Sequence, residues 1–131
     1  MAEREPLPAA LEEIATAVVD SAFVVHSTLG PGLLESVYET CLDHELQSRG
    51  LSVERQVPVP IVYKDVRLSA GLRLDLIVEQ SVIIEVKAVE KLLPVHKAQM
   101  LTYLKLQSLR IGFLLNFNVP LIRDGITRVV L

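Results

Sequence analysis

Residues 71–89, GLRLDLIVEQSVIIEVKAV, constrain the fold more than any other stretch of this chain. From 72 to 79 the even positions Leu72, Leu74, Leu76 and Val78 are apolar, and the odd positions hold Arg73, Asp75, Ile77 and Glu79. That alternation is strand period. Gln80-Ser81 reads as a turn, after which Val82, Ile84, Val86 and Ala88 share one face and Ile83, Glu85, Lys87 and Val89 the other. The predicted product is a β-hairpin. Its second arm is apolar on both faces but for Glu85 and Lys87, the pattern of a central strand covered from both sides. Charges in such a strand are costly unless they are paired or metal-bound. These two residues are therefore the first candidates for function.

Glu85 and Lys87 point the same way. At about 3.3 Å per residue their Cα atoms lie roughly 6.6 Å apart, close enough to serve one small site. Asp75 can join them from the neighbouring strand. An acid, then acid-x-Lys on the adjacent strand, suits hydrolysis of a phosphodiester. Two carboxylates are hard oxygen ligands for Mg²⁺. The metal lowers the pKa of a bound water and offsets charge in the transition state, and a lysine adds fixed positive charge beside the attacked phosphate. The competing reading is an ordinary hairpin with a solvated outer face.

The chain has 131 residues, enough for a single domain over 1–131 with a core of its own. Half of them are hydrophobic and the mean hydropathy is +0.41, which predicts an apolar surface covered by a second copy, a homodimer. The alternating strands at 111–117 and 126–131, expected near a sheet edge, are the candidates for that contact. A net charge of −3 and a pI near 5.6 give no global attraction for nucleic acid. Between Lys87 and Lys105, however, Lys87, Lys91, Lys97 and Lys105 face only Glu90, so a basic surface can be local. The single Cys41 excludes an internal disulfide and fits a reducing cytoplasm. The acidic start MAEREPLPAALEE has no apolar signal-peptide core. The late apolar segment 111–122 is too short to span a bilayer and contains Asn116, Asn118 and Pro120. A cytoplasmic protein without membrane contact is predicted.

Taken in order, residues 1–8 read as a flexible arm. Leu11, Ile14, Val18, Ala22, Val25 and Leu29 follow helical spacing over 8–29, and Gly30-Pro31-Gly32 stops that helix. His26 lies near its end, as a core or helix-end histidine or an accessory to a site. A second helix is expected over 33–49, with Glu35 and Tyr38 on one face. Alone, Glu35 in a first turn is a partner of the helix dipole. A strand follows over 53–63, placed at an edge by Pro58 and Pro60. Lys64-Asp65 turns into a short strand at 66–68 and then the hairpin. Pro94 opens a third helix to about 107, on which His96, Gln99 and Tyr103 form one stripe. Strands at 111–117 and 126–131 complete an α/β protein with a mixed central sheet, the third helix crossing over between strands.

These residues together resemble the PD-(D/E)XK nuclease superfamily and, within it, the GxxExxY family. The motif is present as Gly32-Leu33-Leu34-Glu35-Ser36-Val37-Tyr38. Asp75 with Glu85-Val86-Lys87 resembles the superfamily core, with Leu74 where the superfamily's name has proline, and Gln99-Met100-Leu101-Thr102-Tyr103 resembles its QxxxY helix. The resemblance implies a restriction-endonuclease-like core, a mixed central sheet flanked by helices. It also implies a Mg²⁺ or Mn²⁺ site made by Asp75, Glu85, the Val86 backbone carbonyl and Glu35. Lys87 would be the catalytic lysine, and Gln99 and Tyr103 would position it or the scissile phosphate. His26, Tyr38 and His96 are accessory candidates. The implied activity is metal-dependent hydrolysis of DNA or RNA. Two alternatives stand beside it: a non-catalytic binding or assembly module on a nuclease fold, and a metal-dependent phosphohydrolase acting on small nucleotides.

Overall fold

A computed structural model describes residues 5–68 and 71–131. Of the arm expected over 1–8, residues 1–4 lie outside the described residues. Within the remainder, Leu7 packs against the core and the Glu5 carbonyl accepts a bond from Arg110 Nη2 (2.8 Å).

Helix α1 (Ala9–Leu29) turns Ala15, Val18, Ala22 and Val25 inward at helical spacing. It ends at Gly30, whose φ of +73° side chains disfavour. Helix α2 (Glu35–Ser48) buries Tyr38, Leu42 and Leu46. The strand expected over 53–63 is broken by its prolines into β1 (Val53–Pro58) and β2 (Ile61–Tyr63), and β2 forms a separate hairpin with β3 (Val66–Leu68). Next come β4 (Arg73–Val78) and β5 (Val82–Lys87), joined by a turn whose central residues are Glu79 and Gln80, one position earlier than expected. Both have φ near +50°, the geometry that follows the twist of the flanking strands. Helix α3 (Pro94–Gln107), β6 (Ile111–Asn116), a 3₁₀ turn (Ile122–Gly125) and β7 (Ile126–Val130) complete the chain.

The five-stranded sheet has the order β1-β4-β5-β6-β7. β5 and β6 run parallel, linked by α3, and the other pairs are antiparallel. β5 is central, as its two-sided apolar pattern predicts. β6 is also internal, buried along its whole length, which corrects the expectation that it lies near an edge; β1 and β7 are the edges. Helices α1 and α2 cover one face with the larger core, and α3 covers the other. Gly112 lets α3 lie close on β6, since a Cβ there would collide with Met100 Sδ.

One expectation about side-chain direction fails in an informative way. Leu76 and Val78 join the α1–α2 core, but Leu74 joins the core under α3, so the even positions of β4 do not share a face. β1 does the same, with Val53 against the first core and Val57 against the second. Both strands therefore turn over at the level of Gln56 and Asp75, where Gln56 has φ +49°. A strict period of two assumes an unbroken pleat, and this pleat is broken.

Candidate active site

The break in the pleat is where the acidic residues meet. The β4–β5 ladder stops at Leu76↔Ile84, and beyond it the two carboxylates replace backbone partners. Glu85 Oε1 accepts the Asp75 N–H (3.3 Å), and Asp75 Oδ2 accepts the Val86 N–H (2.8 Å). Each acid thus fills a position that the divergence of the strands leaves open. Asp75 Oδ1 faces Gln56 Nε2 at 3.5 Å.

Glu85 is 7% exposed. Burial first, and then the negative charge of Asp75, push its carboxyl up to about 8. The positive charge of Lys87, two residues on along β5, opposes this only in part. Two crowded carboxyl groups short of positive charge are a donor set that suits a hard divalent cation. Tyr103 is half-buried on α3, and its hydroxyl is pushed above the usual phenol range by burial and then by the charges of Glu85 and Asp75. The QxxxY helix therefore lies on the face that carries the acids, with Gln99 exposed one turn before Tyr103.

The GxxExxY segment divides into two parts. Glu35, at the start of α2, reaches the far end of β5, where its Oε2 accepts the Ala88 N–H (3.1 Å) just after Lys87. Tyr38 is fully buried and stacked on Phe117 at 4.5 Å. Its hydroxyl donates to the Gly30 carbonyl (2.6 Å) and accepts the Leu33 N–H (3.0 Å), tying down the loop between the helices. His26 Nε2 pairs with the Val119 carbonyl (2.8 Å), and His96 Nδ1 accepts the Leu93 N–H (3.0 Å) to cap α3. The Tyr38 hydroxyl and one ring nitrogen each of His26 and His96 are thus in structural bonds. Among the described residues no three His, Cys, Asp or Glu side chains gather as they would around one metal ion. The pair Asp75–Glu85 forms, and Glu35 stands off on Ala88.

A cavity of about 540 Å³ lies elsewhere, between His26, Phe23, Pro31, Leu121 and Arg123. It is mainly apolar and its histidine is already bonded, so size does not make it the site.

A sequence model of the PD-(D/E)XK nuclease superfamily matches residues 12–129. The chain belongs to that superfamily. No curated protein and no solved structure matches it. Its mixed sheet with helices on both faces is the restriction-endonuclease-like arrangement, and nucleases of the superfamily generally use divalent metal ions.

Sequence reading missed three residues around this superfamily core. Asn116 ends β6 beside Lys87; its Oδ1 accepts the N–H groups of Val89 (3.1 Å) and Asn118 (3.2 Å), and its Nδ2 donates to the Val89 carbonyl (3.0 Å). A buried amide closing the apolar run IGFLL was a legible signal. Glu39, one turn after Glu35, accepts bonds from Arg55 Nη2 (3.0 Å) and Gln56 Nε2 (2.8 Å). Its helical spacing from Glu35 was visible, but its partners were not. Nothing in the sequence marked Gln56.

Proposed function

We propose that this protein is a divalent-metal-dependent nuclease of the GxxExxY branch, acting on DNA or RNA phosphodiesters. The observation that carries the reading is the pair of carboxylates Asp75 and Glu85, each accepting a backbone N–H across the break in the sheet, with Lys87 two residues on from Glu85 along the same central strand. Asp75 and Glu85, with the Val86 carbonyl, would hold Mg²⁺ or Mn²⁺, and water would complete the coordination, since Mg²⁺ usually takes only one or two protein carboxylates. When bound, such an ion neutralises charge developing on the phosphate and eases deprotonation of a water. Lys87 contributes positive charge next to the attacked phosphate. Tyr103 and Gln99 orient that phosphate or the lysine from the helix above, and Glu35 holds the chain after Lys87 in place.

The experiment is cleavage of single- and double-stranded DNA and RNA with Mn²⁺ or Mg²⁺, comparing wild type with Asp75→Asn. Cleavage by wild type alone is expected. Equal residual cleavage in both proteins sinks the reading in favour of a binding module, which the net charge of −3 would also suit. Hydrolysis confined to small nucleotides would point to a phosphohydrolase.

The same reading includes a homodimer, supported by exposed apolar side chains such as Leu34, Val62, Tyr63 and Leu121. A monomeric mass by light scattering at tens of micromolar would exclude it. A cytoplasmic setting suits the lone free Cys41, and among the described residues no helix is long and apolar enough to cross a membrane.

A further inference from the structure

Five non-glycine residues among those described have positive φ. Lys64, Glu79 and Gln80 lie in hairpin turns and Ser108 caps α3, places where the turn or cap uses that geometry. Gln56, at φ +49°, lies inside a strand, where no turn calls for it. A conformation that non-glycine residues rarely adopt persists where the surroundings over-determine it. Here the surroundings are the break in the pleat that Gln56 shares with Asp75 and the partners of its side chain. Gln56 Nε2 donates to Glu39 Oε1 (2.8 Å) and faces Asp75 Oδ1 (3.5 Å). Glu39 is itself 7% exposed and held by Arg55 Nη2 at 3.0 Å.

The other oxygen of Asp75 is occupied by the Val86 N–H at 2.8 Å. The Asp75 carboxylate is therefore addressed at both oxygens, closely by β5 and at longer range by the exposed Gln56, an arrangement that favours one side-chain rotamer. We propose that Gln56 is a positioning residue: its left-handed backbone aims its amide at Asp75, and Glu39 anchors that amide. The inference rests on the nuclease reading for its consequence, because Mg²⁺ tolerates little departure from octahedral geometry and so depends on how a carboxylate is presented. Groups that orient metal ligands typically contribute about 10- to 100-fold to affinity.

Two variants test it. Gln56→Gly removes the amide and suits the backbone; Gln56→Asn also tolerates positive φ, and its amide is one methylene too short. Each is measured for Mn²⁺ affinity by titration calorimetry, for melting temperature, and for the Asp75 χ1 rotamer from NMR couplings. The expected result is a loss of about 10- to 100-fold in Mn²⁺ affinity with an unchanged or higher melting temperature, and an Asp75 side chain that averages over rotamers instead of holding one. Wild-type affinity in both variants overturns the proposal, as does failure of both to fold, which would make Gln56 a stabilising residue only. If wild type itself binds no Mn²⁺, the nuclease reading fails and the rotamer decides separately. Averaging in Gln56→Gly upholds the positioning role, and a single retained rotamer ends it.

Discussion

Glu39 and Glu85 are equally buried, each 7% exposed, and they have opposite surroundings. Glu39 meets a guanidinium at 3.0 Å and an amide donor at 2.8 Å. Glu85 meets one backbone N–H at 3.3 Å and a second carboxylate, and its carboxyl is pushed up to about 8. Burial alone does not decide what an acid does; the nearby donors and charges do. Glu39 is satisfied and fastens α2 to β1. Glu85 is under-compensated, the condition expected of a group kept for a charged ligand.

The strongest way to break this contrast is to remove charge from the unsatisfied site. Asp75→Asn should abolish both Mn²⁺ binding and cleavage, because an amide is a poorer ligand for a hard cation. Lys87→Met should lower cleavage by roughly a hundredfold and leave Mn²⁺ affinity nearly intact, because the lysine acts on the transition state. Loss of Mn²⁺ binding in Lys87→Met would show that the lysine supports the site rather than the chemistry.

Stability sharpens the contrast, since the two glutamates should respond in opposite directions. A carboxyl raised from 4.5 to about 8 on folding holds its proton more tightly when folded. Without metal, stability therefore falls as pH rises from the unfolded pKa through the folded one, and levels off above it. Glu85→Gln should match wild type near pH 4 and melt higher by roughly 5 °C at pH 9, while losing cleavage. Glu39→Ala should instead cost about 1–2 kcal/mol at pH 7, a modest loss because Arg55 remains partly exposed to water. Thermal melts across pH read both effects. Parallel curves for wild type and Glu85→Gln would show that Glu85 is not the strained acid.

The smallest effect concerns Tyr38. Tyr38→Phe should keep the stack on Phe117, lose the bonds to Gly30 and Leu33, and lower stability by about 1–2 kcal/mol. Cleavage by the folded protein should not change. A loss of cleavage without loss of stability would return Tyr38 to the active site.

The sequence by itself determined the elements and most of their order. Helical spacing with Gly30-Pro31-Gly32, Pro94 at a helix start, and the two-sided apolar run at β5 are local signals, and local patterns survive in any context that buries them. It also marked Asp75, Glu85 and Lys87, because charges in an apolar strand conflict with the pattern around them. Three things were decided only by the tertiary structure. Whether β6 is internal depends on which strand pairs with its second side, a contact between residues distant in the chain. Leu74 changes face because the pleat breaks at Asp75, and a period of two cannot register a break that comes from side chains bonding to the neighbouring strand. Glu39 and Gln56 acquire their roles from partners 17 and 19 residues away. Gln56's left-handed backbone has no signature in residue type, because glutamine adopts it only when surrounding bonds hold it there.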